Sequence, residues 1–73
     1  MMTEKEFLKE MKENILDTET NIDLNTNLRD VEEWDSLSVV DFIARANVVL
    51  GKAIERDKVM KAETFADLYD LIK

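Results

Sequence analysis

Apolar residues recur along this chain with a helical period, in three separated runs. In the first, Thr3 and Glu6 form a Thr-x-x-Glu capping box, and Phe7, Leu8, Met11, Ile15 and Leu16 follow at spacings of one, three or four. A reciprocal cap followed by that period predicts a helix over about residues 4 to 16. The second run is the longest: Leu37, Val39, Val40, Phe42, Ile43, Ala44, Ala46, Val48, Val49 and Leu50. It predicts a helix from Ser36 to about Leu50, with the capping residues Asp35 and Ser36 at its entrance and Gly51 at its end. One buried stripe needs fewer apolar positions than these, so some must lie at the edge of the core or outside it. Its only charged side chains, Asp41 and Arg45, are spaced for an i, i+4 pair worth about 0.2 to 0.5 kcal/mol.

The third run, Phe65, Leu68, Tyr69, Leu71 and Ile72, follows Thr64 with Asp67 three residues on, an Asp variant of the same capping box. Between the second and third runs, Gly51 to Ile54 returns the chain and Arg56 to Ala62 carries Val59 and Met60 over one or two helical turns. Strand-like alternation and internal repeats are absent from the sequence. The expected fold is all-α: a small four-helix bundle of three main helices and one short one, a single domain over residues 1–73.

Residues 17 to 35 do not fit this scheme. They are rich in Thr, Asn and Asp with isolated Ile22, Leu24, Leu28 and Val31, and connections longer than about 12 to 15 residues are uncommon in compact domains. A long loop joining helices that run in similar directions, pinned to the core by Ile22, Leu24 and Leu28, accounts for the length. A calcium loop does not. Asp23-x-Asn25-x-Asn27 imitates the start of one, but the sixth position is Leu28 instead of Gly and the twelfth is Trp34 instead of Glu.

Composition narrows the chemistry. The 73 residues include no Cys and no His, which removes disulfides, thiolate metal sites, the Cys nucleophile and the usual general base. A chain so small buries only roughly 60% of its unfolded surface, so its core is thin. With no His and no Gly-x-Ser-x-Gly elbow, a serine hydrolase is excluded, and the protein is not expected to be an enzyme. Apolar runs stop at three residues, as in Val48-Val49-Leu50, and the first ten residues alternate charges. Neither a membrane span nor a secretory signal is expected, and the expected location is the cytoplasm. The net charge of -7 argues against nucleic acid and anionic membranes as partners. Its distribution is uneven: 11 acids and 4 bases precede Ser36, while 6 of each follow from Ser36 onward.

Asp35-Ser36-Leu37 opening a long helix after a long loop, in a small acidic helical chain, resembles the phosphopantetheine attachment motif of acyl carrier proteins. The resemblance extends to the first helix, the loop, Ile54 after the second helix, and the closing Thr64-Phe65-Ala66-Asp67-Leu68. It implies that Ser36 is joined through a phosphodiester to 4'-phosphopantetheine from coenzyme A, whose thiol carries acyl groups as thioesters. A phosphodiester at a helix N-terminus is favoured electrostatically, and a borrowed thiol lets a chain without Cys take part in acyl chemistry. By the same resemblance Asp35 presents the serine to a phosphopantetheinyl transferase, Leu37 and Val40 contact the arm and partner enzymes, and Asp41 adds a docking charge. Val40, Ile43, Ile54, Val59 and Met60 are candidates to line a groove for an acyl chain, or else pack as ordinary core.

The chain departs from related carriers where acidic residues often follow the motif, placing Ser38, Arg45, Asn47 and Val48 there, with Lys58 and Lys61 beyond. Partners that dock through apolar contact are expected in consequence. The expected partners are the transferase and an acyl or aminoacyl ligase, an acyltransferase or a ketosynthase, met by a monomer. Trp34 reads as an anchor holding the loop end to the bundle or as a partner contact. An aminoacyl carrier, for example of D-alanine, and an unmodified helical interaction module stay open beside the acyl carrier.

Overall fold

Thr3 opens the first helix with both bonds of its box: its N–H donates to Glu6 Oε1 at 2.9 Å and its Oγ1 accepts from the Glu6 N–H at 3.2 Å. In the computed structural model, which describes residues 2–73, helix α1 covers Glu4–Glu10 and continues directly into a π-helical turn, Met11–Ile15. The helix thus has nearly its expected length but a widened end. The cause is burial. Five residues apart on an α-helix, Met11 and Leu16 would point about 140° away from each other. The π turn, in which the Leu16 N–H donates to the Met11 carbonyl at 2.8 Å, brings both onto the core side, where they are buried. Asp17 then takes a left-handed φ of 50°, and the Thr18 N–H closes onto the Lys12 carbonyl at 3.0 Å.

The long loop is laced to the far end of the chain. Leu28 N–H donates to the Glu63 carbonyl (2.9 Å), Phe65 N–H to Thr26 (3.3 Å) and Ala66 N–H to Leu24 (2.9 Å). Leu28 and Val31 are buried, Ile22 and Leu24 half-buried, and a 3-10 turn at Leu28–Asp30 follows the lacing. The loop is long because it supplies backbone partners to the start of the last helix as well as a connection. Asp23, which begins the calcium-like pattern, makes a turn instead: its Oδ1 accepts from the Asn25 N–H at 2.8 Å.

Helix α2 spans Ser36–Leu50. Its core stripe is Val39, Phe42 and Ala46, with Ile43 and Leu50 half-buried beside it. The surplus apolar residues form a second stripe on the opposite side, where Leu37, Val40, Ala44 and Val48 are all exposed. Gly51 ends the helix with φ 65°; its N–H donates to the Asn47 carbonyl at 3.0 Å and the Lys52 N–H to Ala46 at 3.2 Å.

The expected Asp41–Arg45 pair does not form. Arg45 Nη1 reaches Glu10 Oε1 on α1 at 2.9 Å, an oxygen that Asn14 Nδ2 also holds at 2.8 Å. A carboxylate already fixed by Asn14 outcompetes one a turn away on the same helix, where the gain is only tenths of a kcal/mol.

Helix α3, Arg56–Lys61, buries Val59 alone. Helix α4, Phe65–Ile72, buries Phe65, Leu68, Tyr69 and Ile72. Its box forms as expected, with Asp67 N–H to Thr64 Oγ1 at 3.3 Å and Thr64 N–H to Asp67 Oδ2 at 3.1 Å. Donation from the Glu63 and Thr64 N–H groups holds the Asp67 carboxyl below its ordinary range, as donation from Thr3 does for Glu6. Tyr69 ties the chain start down, its hydroxyl donating to the Met2 carbonyl at 2.7 Å and its ring lying 5.2 Å from Phe7. The described residues contain no strand, only an isolated bridge between Asn27 and Thr64.

Candidate functional site

The head of α2 is built from the loop inward. Val31 is buried, and its carbonyl accepts from the Trp34 N–H at 3.0 Å, turning the chain toward the helix. Trp34 then lies half-buried, edge-on to Phe42 with ring centroids 6.5 Å apart, so it does anchor the loop end to the bundle. Asp35 is extended and caps the helix: its Oδ1 accepts from the Ser38 N–H at 3.0 Å.

Capping therefore falls to Asp35 and not to Ser36. Ser36 is the first helical residue, it is exposed, and its hydroxyl has no hydrogen-bond partner among the described residues. Its N–H and that of Leu37 belong to the donors that a helix start leaves without intrahelical acceptors. The result is an open hydroxyl beside free donors at the positive end of a 15-residue helix. Glu32, Glu33 and Asp35 are exposed just before it, so an anion on this serine is favoured by the helix end and disfavoured by its acidic approach.

Around this point the expected site residues divide by depth. Leu37 (73% exposed), Val40 and Asp41 face solvent. Toward α3, Ile43 and Ile54 are half-buried, Met60 is exposed, and Val59, 1% exposed, belongs to the core. A small apolar cavity of about 30 Å³ lies elsewhere, between α1, α2 and α4, with Phe7, Met11 and Ala46 in its wall.

Ser38 escaped the sequence reading as a site residue. It is 4% exposed, and its hydroxyl donates to the Glu33 carbonyl at 2.7 Å. The Asp-x-x-Ser spacing at the helix start was the available clue, since it places Ser38 where the cap must bond.

A helical bundle that offers one free serine hydroxyl at a helix head, in a chain with no His or Cys, has the form of a carrier scaffold: it presents a hydroxyl that can accept a group. The family described as phosphopantetheine attachment site matches residues 6–72. The chain belongs to that family, and is a phosphopantetheine carrier protein; the prosthetic group of the family is covalent 4'-phosphopantetheine. Members are carriers that act as substrates of modifying and partner enzymes. Neither the curated proteins nor the solved structures give a significant match. No helix among the described residues is long and apolar enough to cross a membrane.

Proposed function

We propose that the protein is an acyl carrier whose phosphopantetheine arm is attached at Ser36. The observation that carries this reading is the division of labour at the helix head: Asp35 supplies the cap, and the adjacent Ser36 hydroxyl is left exposed and without a partner among the described residues. Loading forms a bond from Ser36 Oγ to the pantetheine-side phosphorus of coenzyme A. The pyrophosphate bond breaks, 3',5'-ADP leaves with its electron pair, and the serine proton passes to a base of the transferase and then to solvent. Once attached, the group supplies a terminal thiol that holds acyl groups as thioesters.

The chain's own residues present and orient. The free N–H groups at the start of α2 favour the phosphodiester, and Asp35 keeps the first turn closed beneath it. Leu37 and Val40 offer the apolar contact next to the serine, with Asp41 as a charge at their margin. An acyl chain lying between α2 and α3 passes Ile43 and Ile54 and must displace Val59, because Val40 and Met60 lie outside. The partners in this reading are a transferase in the cytoplasm, then a ligase, acyltransferase or ketosynthase that docks a monomeric carrier.

Incubation with coenzyme A and a broad-specificity phosphopantetheinyl transferase tests the assignment. Intact mass should rise by one phosphopantetheine on the wild type and not on Ser36→Ala. An unchanged wild-type mass overturns the reading and leaves a helical interaction module. The mass of the thioester recovered from the native cell separates a fatty or specialised acyl cargo from an aminoacyl one.

A further inference from the structure

The serine two residues beyond the attachment point is buried, and the loading chemistry makes no use of it. Ser38 has a single hydroxyl proton and two acceptors nearby, the Glu33 carbonyl at 2.7 Å and Asp35 Oδ1 at 3.3 Å. The proton goes to the nearer one. The Ser38 N–H meanwhile donates to Asp35 Oδ1 at 3.0 Å. Backbone and side chain of one residue thus close a ring that starts at Glu33 and returns at Ser38, with Ser36 at its exposed apex.

From this geometry we infer that Ser38 is a positioning residue for the modification of Ser36. The inference rests on the carrier reading above. The cap fixes the first turn of α2, and the Trp34 N–H bond to the Val31 carbonyl holds the Glu33–Trp34 peptide unit at its N–H end only, leaving the Glu33 carbonyl end able to tilt. The Ser38 hydroxyl removes that freedom by holding the Glu33 carbonyl from inside the fold. Among the described residues the Ser36 hydroxyl has no hydrogen-bond partner, so the backbone beneath it sets the positions that its rotamers can reach. Transfer to Ser36 Oγ needs an in-line approach to phosphorus, and small displacements of a reacting atom are costly in rate. A transferase that docks on Leu37 and Val40 would still bind a carrier lacking this bond, so the defect belongs in turnover and not in binding.

The test is steady-state loading of coenzyme A onto the full chain. Ser38→Ala should lower kcat about tenfold with KM within about twofold of the wild type, the pattern of a lost geometric constraint. Ser38→Thr, which keeps the hydroxyl, should recover most of the rate. Thr64→Ala serves as the stability control, because it removes the cap of α4, a different helix from the one that carries Ser36, and should leave kcat unchanged. Equal kcat in Ser38→Ala and the wild type overturns the inference. Equal losses in Ser38→Ala and Thr64→Ala also overturn it, reducing Ser38 to a stability role. Failure to load the wild type at all is a different result: it sinks the carrier reading, and the positioning role falls with it.

Discussion

Asp35 is asked to hold the helix head closed without help from Ser36, and replacing it measures what that is worth. Asp35→Ala removes the bond from the Ser38 N–H, for which the usual cost of losing a cap is about 1 kcal/mol. It also removes a negative charge from the positive end of α2, worth about 0.3 to 1 kcal/mol at an exposed position. The expected loss is about 1.5 kcal/mol. Asp35→Asn keeps an acceptor and loses only the charge, so its loss should be about 0.5 kcal/mol. For a domain of this size 1 kcal/mol moves Tm by roughly 4 to 8 °C, which places Asp35→Ala about 6 to 12 °C lower and Asp35→Asn about 2 to 4 °C lower. Urea unfolding followed through the single Trp34, in parallel with far-UV ellipticity, gives both values. Added salt should narrow the gap between wild type and Asn but not that between Asn and Ala, since only the first is a charge effect. Equal losses in the two variants, or an Ala variant within about 0.3 kcal/mol of the wild type, would refute the assignment of the cap to Asp35.

Other parts of the fold make separate predictions. Val59→Ala removes two methyl groups from the one buried side chain of α3 and should cost roughly 2 kcal/mol by urea unfolding, with the α3 amides losing hydrogen-exchange protection first. Asp17→Gly relieves a left-handed φ of 50° and should raise stability by about 0.5 kcal/mol, measured by the same unfolding curve. Asp67 has a folded pKa below its ordinary 3.8, so its ionised cap stabilises the fold in full above that value, and the benefit is lost as pH falls through the lowered one. The Tm difference between wild type and Asp67→Asn should therefore shrink on acidification, and a difference that grows would contradict the cap. Complexes formed on the α2 face should weaken less than about threefold from about 0.05 to 0.5 M salt in a binding titration, as screening acts mainly on charges the face scarcely has.

The parts of this structure legible in the sequence are those fixed by local chemistry. Both capping boxes, the Gly51 stop and the bounds of α2 follow from side chains within four residues of each other. Ser36 at a helix head was legible for the same reason. What escaped depends on distant groups. The π turn exists because Met11 and Leu16 both need the core, and no local rule states which pair will win that contest. The length of the 17–35 loop reflects bonds to the Leu24, Thr26 and Glu63 carbonyls that join the loop to the start of α4, and no local pattern encodes them. Local spacing pairs Arg45 with its helical neighbour Asp41, whereas its actual partner Glu10 lies 35 positions away in sequence.

The correction at Arg45 changes what the face of α2 can offer a partner. Counted along the chain, the second half is neutral, with Arg45 cancelling Asp41. In the folded protein Arg45 is engaged with Glu10, so Asp41 stands without that cation beside an exposed stripe of Leu37, Val40, Ala44 and Val48. The neutrality is real as a sum and misleading as a surface. The face presents apolar side chains on successive turns with one carboxylate at the margin, and Val48, 83% exposed, extends that stripe to the far end of the helix. The stripe sits opposite Val39, Phe42 and Ala46, so exposure on one side costs the core nothing on the other. Apolar residues facing water do not serve the stability of the monomer, and a regularly spaced line of them is the kind of surface that the carrier reading proposed above would use to meet a partner. The surplus that first marked this helix as unusual is thus divided: one stripe packs into the bundle, and the other, from Leu37 to Val48, lies exposed along the helix, with Val49 exposed beside the core stripe.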